Sequence, residues 1–235
     1  MSQPLLYLFD IDGTLLAGAA TVHRHAFVHA FREVYGLTLS LDGLLSAGRT
    51  DSWLLREPLR RCGLSDEQIA RGRTEAFAAM EAYVRDHPTD LRHAVLPGVH
   101  EVLRGLGSRG KLLGLLTGNL QGIAWVKLQQ AGLAAYFETG GFGEESTVRS
   151  RLVPVAIQHA RRLAGRSIAS RETVVVGDTP LDVEAGREAG TLTAALATGR
   201  YSLEDLRRTG ADLVLPSLAP GNEALDQLAA MTVRS

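Results

Sequence analysis

Leu5-Leu6-Tyr7-Leu8-Phe9-Asp10-Ile11-Asp12-Gly13-Thr14-Leu15 decides how this chain is read. The apolar run 5–9 is short and continuous, and it reads as a strand buried on both faces, as in parallel sheets. Gly13-Thr14 reads as the turn that ends it. Asp10 and Asp12 would then leave the carboxyl end of a central strand together, at the edge where open α/β sheets bind ligands. Two carboxylates there can hold a hard cation through oxygen, or one can attack an electrophile while the other handles a proton. An Asx-Gly turn that merely closes a strand uses the same residue types, so the rest of the chain has to decide.

Further strand-like runs lie at 112–117, 173–177, 192–196 and 212–215. Between and after them, 98–108, 120–131, 150–165, 180–189 and 221–231 have helical spacing or composition. This alternation predicts an α/β fold: a doubly wound, Rossmann-like parallel sheet with helices on both faces. Residues 16–94 break the pattern. They hold no convincing strand, and 21–35, 51–62 and 66–87 read as helices, with Ala26, Phe27, Ala30, Phe31 and Val34 three or four apart. So long a helical stretch exceeds a crossover. It predicts an all-helical cap at 16–94, hinged near 15–20 and 90–97, inserted into a core made of 1–15 and 95–235.

Composition narrows the function classes. The formal net charge is −1, so no global field calls for nucleic acid or an acidic membrane surface. No apolar run reaches the roughly 18–20 residues of a membrane span. The first strand begins too early to leave room for a signal peptide. Cys62 is the single cysteine, which excludes an intrachain disulfide or a thiolate metal cluster. These features predict a cytoplasmic protein. Of 25 basic residues only Lys111 and Lys127 are lysines.

Four segments form a constellation. Asp10-Ile11-Asp12-Gly13-Thr14 is the first. Leu115-Leu116-Thr117-Gly118-Asn119 ends a strand in a hydroxyl and a glycine. A basic residue stands near the start of the 150–165 helix: Arg149 leads, with Arg151 close by and Lys127 as the rival lysine. Val176-Gly177-Asp178-Thr179-Pro180-Leu181-Asp182 is a buried strand running into an acidic loop. Their order and spacing resemble the haloacid dehalogenase-like hydrolase superfamily, in particular its phosphatase branch with a phosphoglycolate phosphatase-like helical cap. The resemblance covers essentially the whole chain.

Read through that resemblance, the chain is a Mg²⁺-dependent phosphomonoesterase for a small phosphorylated metabolite. Phosphoryl transfer needs an in-line nucleophile, charge neutralisation and a proton donor for the leaving oxygen. Asp10 supplies the nucleophile and carries an aspartyl phosphate; Asp12 protonates the leaving alcohol and then activates water. Thr117, with Thr14, Gly118 and Asn119, binds the phosphate, and Arg149 neutralises it where the superfamily usually has lysine. Asp10, Asp178 and an oxygen of Asp12 hold Mg²⁺, with Asp182 ligating or orienting that site. Arg49, in the turn Gly48-Arg49-Thr50-Asp51, reads a second anionic group on the substrate. A homodimer is compatible with all of this.

Plainer readings stand beside these. Asn119 or Asp178 can be helix caps, Asp182 can complement a helix dipole, and Arg49 can be a solvated arginine beside an Asp51 N-cap. Lys127 reads as a solvated lysine in mid-helix. His23, His25 and His29 read as covering a partly exposed helix face, and Trp53 and Trp125 as packing residues. Among related activities, dehalogenases do not need Asp12. Phosphonoacetaldehyde hydrolases use a cap lysine, and 16–94 has none. A β-phosphoglucomutase-like sugar phosphomutase keeps the same core motifs. A catalytically silent binding or regulatory module would be expected to lose Asp10, Asp12 or Asp178.

Overall fold

The computed structural model describes residues 3–18 and 21–232. Ala19 and Ala20, within the hinge expected at 15–20, lie outside the described residues. The core is a six-stranded, all-parallel sheet in the order β3-β2-β1-β4-β5-β6. β1 (Leu6–Phe9) is central, with β2 (Leu112–Leu116) on one side and β4 (Thr173–Gly177) on the other. β5 (Leu192–Leu196) and β6 (Leu213–Leu215) extend one flank, and β3 (Gly140–Gly141) closes the other. Phe9 is in register with Leu115 and with Val176. That register puts Asp10, Thr117 and Asp178 side by side at one sheet edge.

Between β1 and α4 (Val99–Ser108) come α1 (Thr21–Tyr35), α2 (Asp51–Arg61) and α3 (Asp66–Asp86). Among the described residues, no strand of the six-stranded sheet lies in this stretch. Its helices bury Phe27, Phe31, Leu55, Leu59 and Met80 against one another, and Leu120 and Ile123 join that cluster. Ser65 caps α3 in a reciprocal box with Gln68. The core helices α5 (Gln121–Ala131), α6 (Leu152–Ala164), α7 (Pro180–Glu188) and α9 (Gly221–Ala230) flank the sheet, as the spacing predicts, with α4. α8 (Leu203–Arg208) and the two-residue β3 have too little sequence to show a period. Residues of β1 alternate between two hydrophobic clusters, Tyr7 and Phe9 on one face, Leu6 and Leu8 on the other, so the strand is buried on both. Among the described residues, no helix is long and apolar enough to cross a membrane.

Candidate active site

Gly13 makes the turn after β1 possible. Its φ is +91°, and a Cβ there would collide with the Asp178 carboxylate. The turn is held by Thr198, whose hydroxyl donates to the Gly13 carbonyl at 2.5 Å. On the neighbouring strand Gly118 lets the helical segment approach. A Cβ on Gly118 would run into the carbonyl of Arg49, and the Asp51 N–H donates to the Gly118 carbonyl at 2.7 Å.

Four buried charged groups converge at the sheet edge. Asp10, Asp178 and Asp182 are 5%, 4% and 1% exposed, and one oxygen from each lies within 4.8 Å of the others. Arg149 bridges two of them, with Nη2 3.0 Å from Asp10 Oδ1 and 2.5 Å from Asp182 Oδ1. It also donates to the Leu116 carbonyl at 3.1 Å and to the Gly48 carbonyl at 3.3 Å. Burial pushes Asp10 up to about 6, against the attraction of Arg149 and with the repulsion of Asp182 and Asp12. Burial, then repulsion by Asp182 and Asp10, pushes Asp178 up to about 8. Three carboxylates and one guanidinium thus leave a buried excess of negative charge. Asp182 Oδ1 has no hydrogen-bond partner in acceptable geometry. An all-oxygen, electron-rich cluster of this kind fits a hard divalent cation, for which Asp10, Asp178 and Asp182 each offer an oxygen. Asp182 has other employment: its second oxygen accepts from Thr179 N at 3.0 Å and Thr179 Oγ1 at 2.7 Å, closing the N-terminal box of α7. Thr179, not Asp178, caps that helix.

Asp12 faces the cleft with about a third of its side chain exposed (34%). Lys127 Nζ donates to both its oxygens, at 2.8 and 2.7 Å, and Asn119 Nδ2 donates to one at 2.8 Å. Burial acts to raise Asp12, but the Lys127 ammonium and its hydrogen bonds win and hold it below the usual carboxylate range. Lys127 is therefore not a surface lysine. It is 3% exposed, buried in α5 with Ile123, Ala124, Leu128 and Ala131. The available signal was spacing: Lys127 stands four after Ile123 and three after Ala124, and a lysine among such apolar positions needs a buried partner.

Other expected residues sit differently from the sequence reading. Thr14 is fully buried and donates to Asp178 Oδ1 at 3.3 Å, so it orients a carboxylate and does not line the cleft. Thr117 is fully buried too, and its hydroxyl accepts from Asn119 N at 3.3 Å and Nδ2 at 2.6 Å. Asn119 does not cap α5; that position is Leu120. Thr50 caps α2, and Asp51 is its first residue. Asp51 Oδ2 lies 2.9 Å from His23 Nε2 and accepts from Leu120 N at 2.8 Å. His23 is thus buried and bonded, whereas His25 is exposed and His29 lies beside Tyr83 with ring centroids 5.1 Å apart. Trp125 packs against Phe142. Trp53 carries the Arg49 guanidinium 4.6 Å above its ring. Glu81 and Glu144, which the sequence did not single out, accept from the first N–H groups of α5, Gly122 N at 3.0 Å and Gln121 N at 3.0 Å.

The cleft over these groups has a volume of about 160 Å³. Asp10, Asp12, Asn119, Arg149 and Asp178 form its floor, and Arg24, Phe27, Leu41 and Arg49 of the helical segment line it from the other side. It lies below the roughly 300–1,000 Å³ of drug-sized sites.

A family model described as hydrolase, haloacid dehalogenase-like hydrolase, matches residues 5–190. The phosphoglycolate phosphatase of Synechococcus elongatus is 28% identical over 221 residues, covering 94% of this chain and 97% of that protein. The phosphoglycolate phosphatase of Nitrosococcus oceani is 27% identical, covering 97% and 100%. Among solved structures, a β-phosphoglucomutase from Clostridium difficile superposes with a TM-score of 0.66 at 18% identity, covering 96% of this chain and 98% of that one.

Proposed function

The chain belongs to the haloacid dehalogenase-like hydrolase family and is an enzyme of its phosphatase branch, and within that branch we propose a Mg²⁺-dependent phosphomonoesterase for a small phosphorylated metabolite. The observation that carries this reading is the convergence of Asp10, Asp12, Arg149 and Asp178 on one small cleft at adjacent strand ends.

In this reading Asp10 attacks phosphorus and carries the phosphoryl group as an aspartyl phosphate. Arg149, already on Asp10, neutralises the transferring oxygens with a fixed planar fork. Thr117 and the backbone around Gly118 shape the phosphate site. Asp12 gives a proton to the leaving alcohol oxygen and then takes one from the water that hydrolyses the acyl phosphate. The ionised form that Lys127 favours is the one required for the second step. Asp10, Asp178 and the main-chain oxygen of Asp12 would hold Mg²⁺, and Asp182 keeps Arg149 in place. The cation supplies charge neutralisation at the transferring phosphate.

Residues 16–94 serve as a cap over the core formed by 1–15 and 95–235, and the cap chooses the substrate. Arg49 on the cleft wall favours a second anionic group, and two similar proteins are phosphoglycolate phosphatases. A phosphorylated short-chain carboxylic acid, phosphoglycolate first, is the substrate class we propose.

The test is release of inorganic phosphate by purified protein from phosphoglycolate, against a panel of other phosphorylated metabolites. Turnover should stop in EDTA and return with Mg²⁺. Fluoroaluminate with Mg²⁺ should trap a phosphoryl mimic on Asp10. Full activity after rigorous metal removal would refute the metal assignment. Transfer of phosphate to a sugar, with none released, would make the enzyme a mutase instead.

A further inference from the structure

Two arginines of the helical segment line the cleft, and they are held in different ways. Arg49, in the turn before α2, lies over the ring of Trp53. Trp53 lines a second groove, with Arg56 and Glu184, that does not include Asp10, Asp12 or Asp178. Arg24 stands in the first turn of α1. Its Nη2 donates to Asp42 Oδ1 at 2.9 Å, from the loop between α1 and α2. Asp42 is fixed in its turn: Ser40 Oγ donates to its Oδ2 at 2.9 Å, and the Asp42 N–H donates to Ser40 Oγ at 3.2 Å. Among the described residues Arg24 has no other acceptor, so its Nε–H and Nη1–H groups remain for water or a ligand.

The surroundings favour a ligand. Phe27, three residues on and therefore on the same face of α1, shares the cleft wall with Leu41 and Leu54, all three buried. An ion pair formed against such a wall is screened less than one in open solvent. The existing pair is of the open kind. The side chains of Arg24 and Asp42 are 39% and 83% exposed, so the bond between them is weak. A carboxylate in the cleft can take the remaining donors of Arg24 in a planar, two-point pair without displacing Asp42. Asp42 then limits the charge that can enter. It stays beside the guanidinium and repels whatever anion joins it. A carboxylate brings one negative charge, whereas a second phosphate brings about 1.5 to 2 at pH 7.

We propose that Arg24 is a specificity-determining residue that binds the substrate's carboxylate beside Arg49, and that Asp42, by sharing its guanidinium, selects a second group of single negative charge over a second phosphate. Phosphorylated carboxylic acids are then accepted and bisphosphates of the same length are disfavoured. This rests on the reading of the substrate as a phosphorylated short-chain carboxylic acid.

The experiment measures kcat/KM with Mg²⁺ for three two-carbon substrates. They are phosphoglycolate, 2-hydroxyethyl phosphate, in which CH₂OH replaces the carboxylate, and ethylene glycol bisphosphate, which carries a second phosphate. Each variant is read as a ratio between substrates against the same ratio in wild type, so that unequal leaving groups cancel. Arg24→Met should lower kcat/KM for phosphoglycolate by about 10- to 100-fold, the scale of a charged hydrogen bond, and that for 2-hydroxyethyl phosphate far less. Arg24→Lys keeps the charge without the planar fork and should lose only part of the preference. Asp42→Asn should raise the ratio of bisphosphate to phosphoglycolate by about three- to tenfold at low salt, and by less at high salt. Equal losses on phosphoglycolate and 2-hydroxyethyl phosphate in Arg24→Met would make Arg24 a structural part of the wall and overturn the inference. An unchanged bisphosphate ratio in Asp42→Asn overturns it as well. Should Arg24→Met not fold, Arg24→Lys decides in its place, and an unchanged ratio there counts against the inference. If wild type turns over 2-hydroxyethyl phosphate as readily as phosphoglycolate, the carboxylic-acid reading falls and the inference with it. A wild-type preference for phosphoglycolate that survives Arg24→Met sinks the inference only.

Discussion

Arg149→Met should be among the most destabilising single changes in the core, and its cost should depend on pH in a definite direction. The guanidinium sits 3.0 Å from Asp10 and 2.5 Å from Asp182 and is 6% exposed. At an effective dielectric constant near 20, one such contact at 3 Å is worth about 5–6 kcal/mol of attraction. Methionine removes both contacts and leaves three carboxylates within 4.8 Å of one another. The protein can escape by protonating one of them. From an ordinary carboxylate value that costs about 5–6 kcal/mol at pH 8, at about 1.4 kcal/mol per pH unit. Burial has already moved Asp178 to about 8, so it takes the proton at less expense. The net cost should therefore fall near the about 3–5 kcal/mol seen when a buried pair loses one partner. The sign follows from raised carboxyl values: the folded variant binds more protons than the unfolded chain, so its stability falls as pH rises. The assay is urea unfolding in EDTA at pH 8 and pH 5. The deficit against wild type should be about 3–5 kcal/mol at pH 8 and shrink by half or more at pH 5. Mg²⁺ at pH 8 should raise the variant's unfolding midpoint more than the wild type's. A deficit below about 1 kcal/mol at pH 8, or one that grows on acidification, would show that Arg149 does not neutralise this cluster.

Three further outcomes are expected. Asp10→Asn keeps shape but removes the attacking charge, so phosphate release should fall by several orders of magnitude while the circular dichroism spectrum is retained; an active variant would end the aspartyl-phosphate scheme. Arg49→Ala should lower kcat/KM for phosphoglycolate by roughly 1.5–3 kcal/mol, the scale of a charged hydrogen bond, and leave p-nitrophenyl phosphate nearly unaffected; equal effects on both would mean that Arg49 serves only its stacking on Trp53. Burial pushes Glu144 up to about 7, against the N–H groups that bond it. Folding then favours its protonated form, and it costs stability as pH rises from its ordinary value through 7. Glu144→Gln should consequently raise the melting temperature at pH 8 and hardly change it at pH 5, whereas a lower melting temperature at pH 8 would show that the charged carboxylate is needed at the start of α5.

The sheet edge was legible because three apolar runs each ended in a chemically distinctive residue, and a parallel register aligns such ends without further information. Asp10, Thr117 and Asp178 needed only that. Arg149 was legible by its place just before α6. What the sequence hid was partnership across elements. Thr14 looked like a phosphate ligand, but its hydroxyl turns inward to Asp178. Asp51 looked like a cap, yet Thr50 caps and Asp51 reaches His23. Lys127 was misread although apolar residues stand three and four before it in α5. Its partner Asp12 is 115 residues away, and no helical period reports on a contact of that range. β3 and α8 were hidden for a different reason: two glycines and a six-residue helix carry too few side chains to display a pattern.

The central position of β1 sets the order in which the molecule can be made. Its backbone pairs with residues 112–115 on one side and 173–176 on the other. A ribosome adding roughly 5–20 residues per second needs on the order of ten to thirty seconds to travel from the first strand to the last of these partners. Until 112–115 are made the apolar run 5–9 has no edge to join, and its second edge stays open until 173–176 follow, whereas α1 and α3, which contact each other directly, can fold beside it. The nascent chain therefore carries a folded helical segment and an unprotected strand, the type of segment that holdase chaperones bind. The buried cluster of Asp10, Arg149, Asp178 and Asp182 is complete only when 178–182 arrive. Synonymous codons that slow translation between 116 and 173 should lengthen this exposure and lower the soluble yield without altering the finished enzyme.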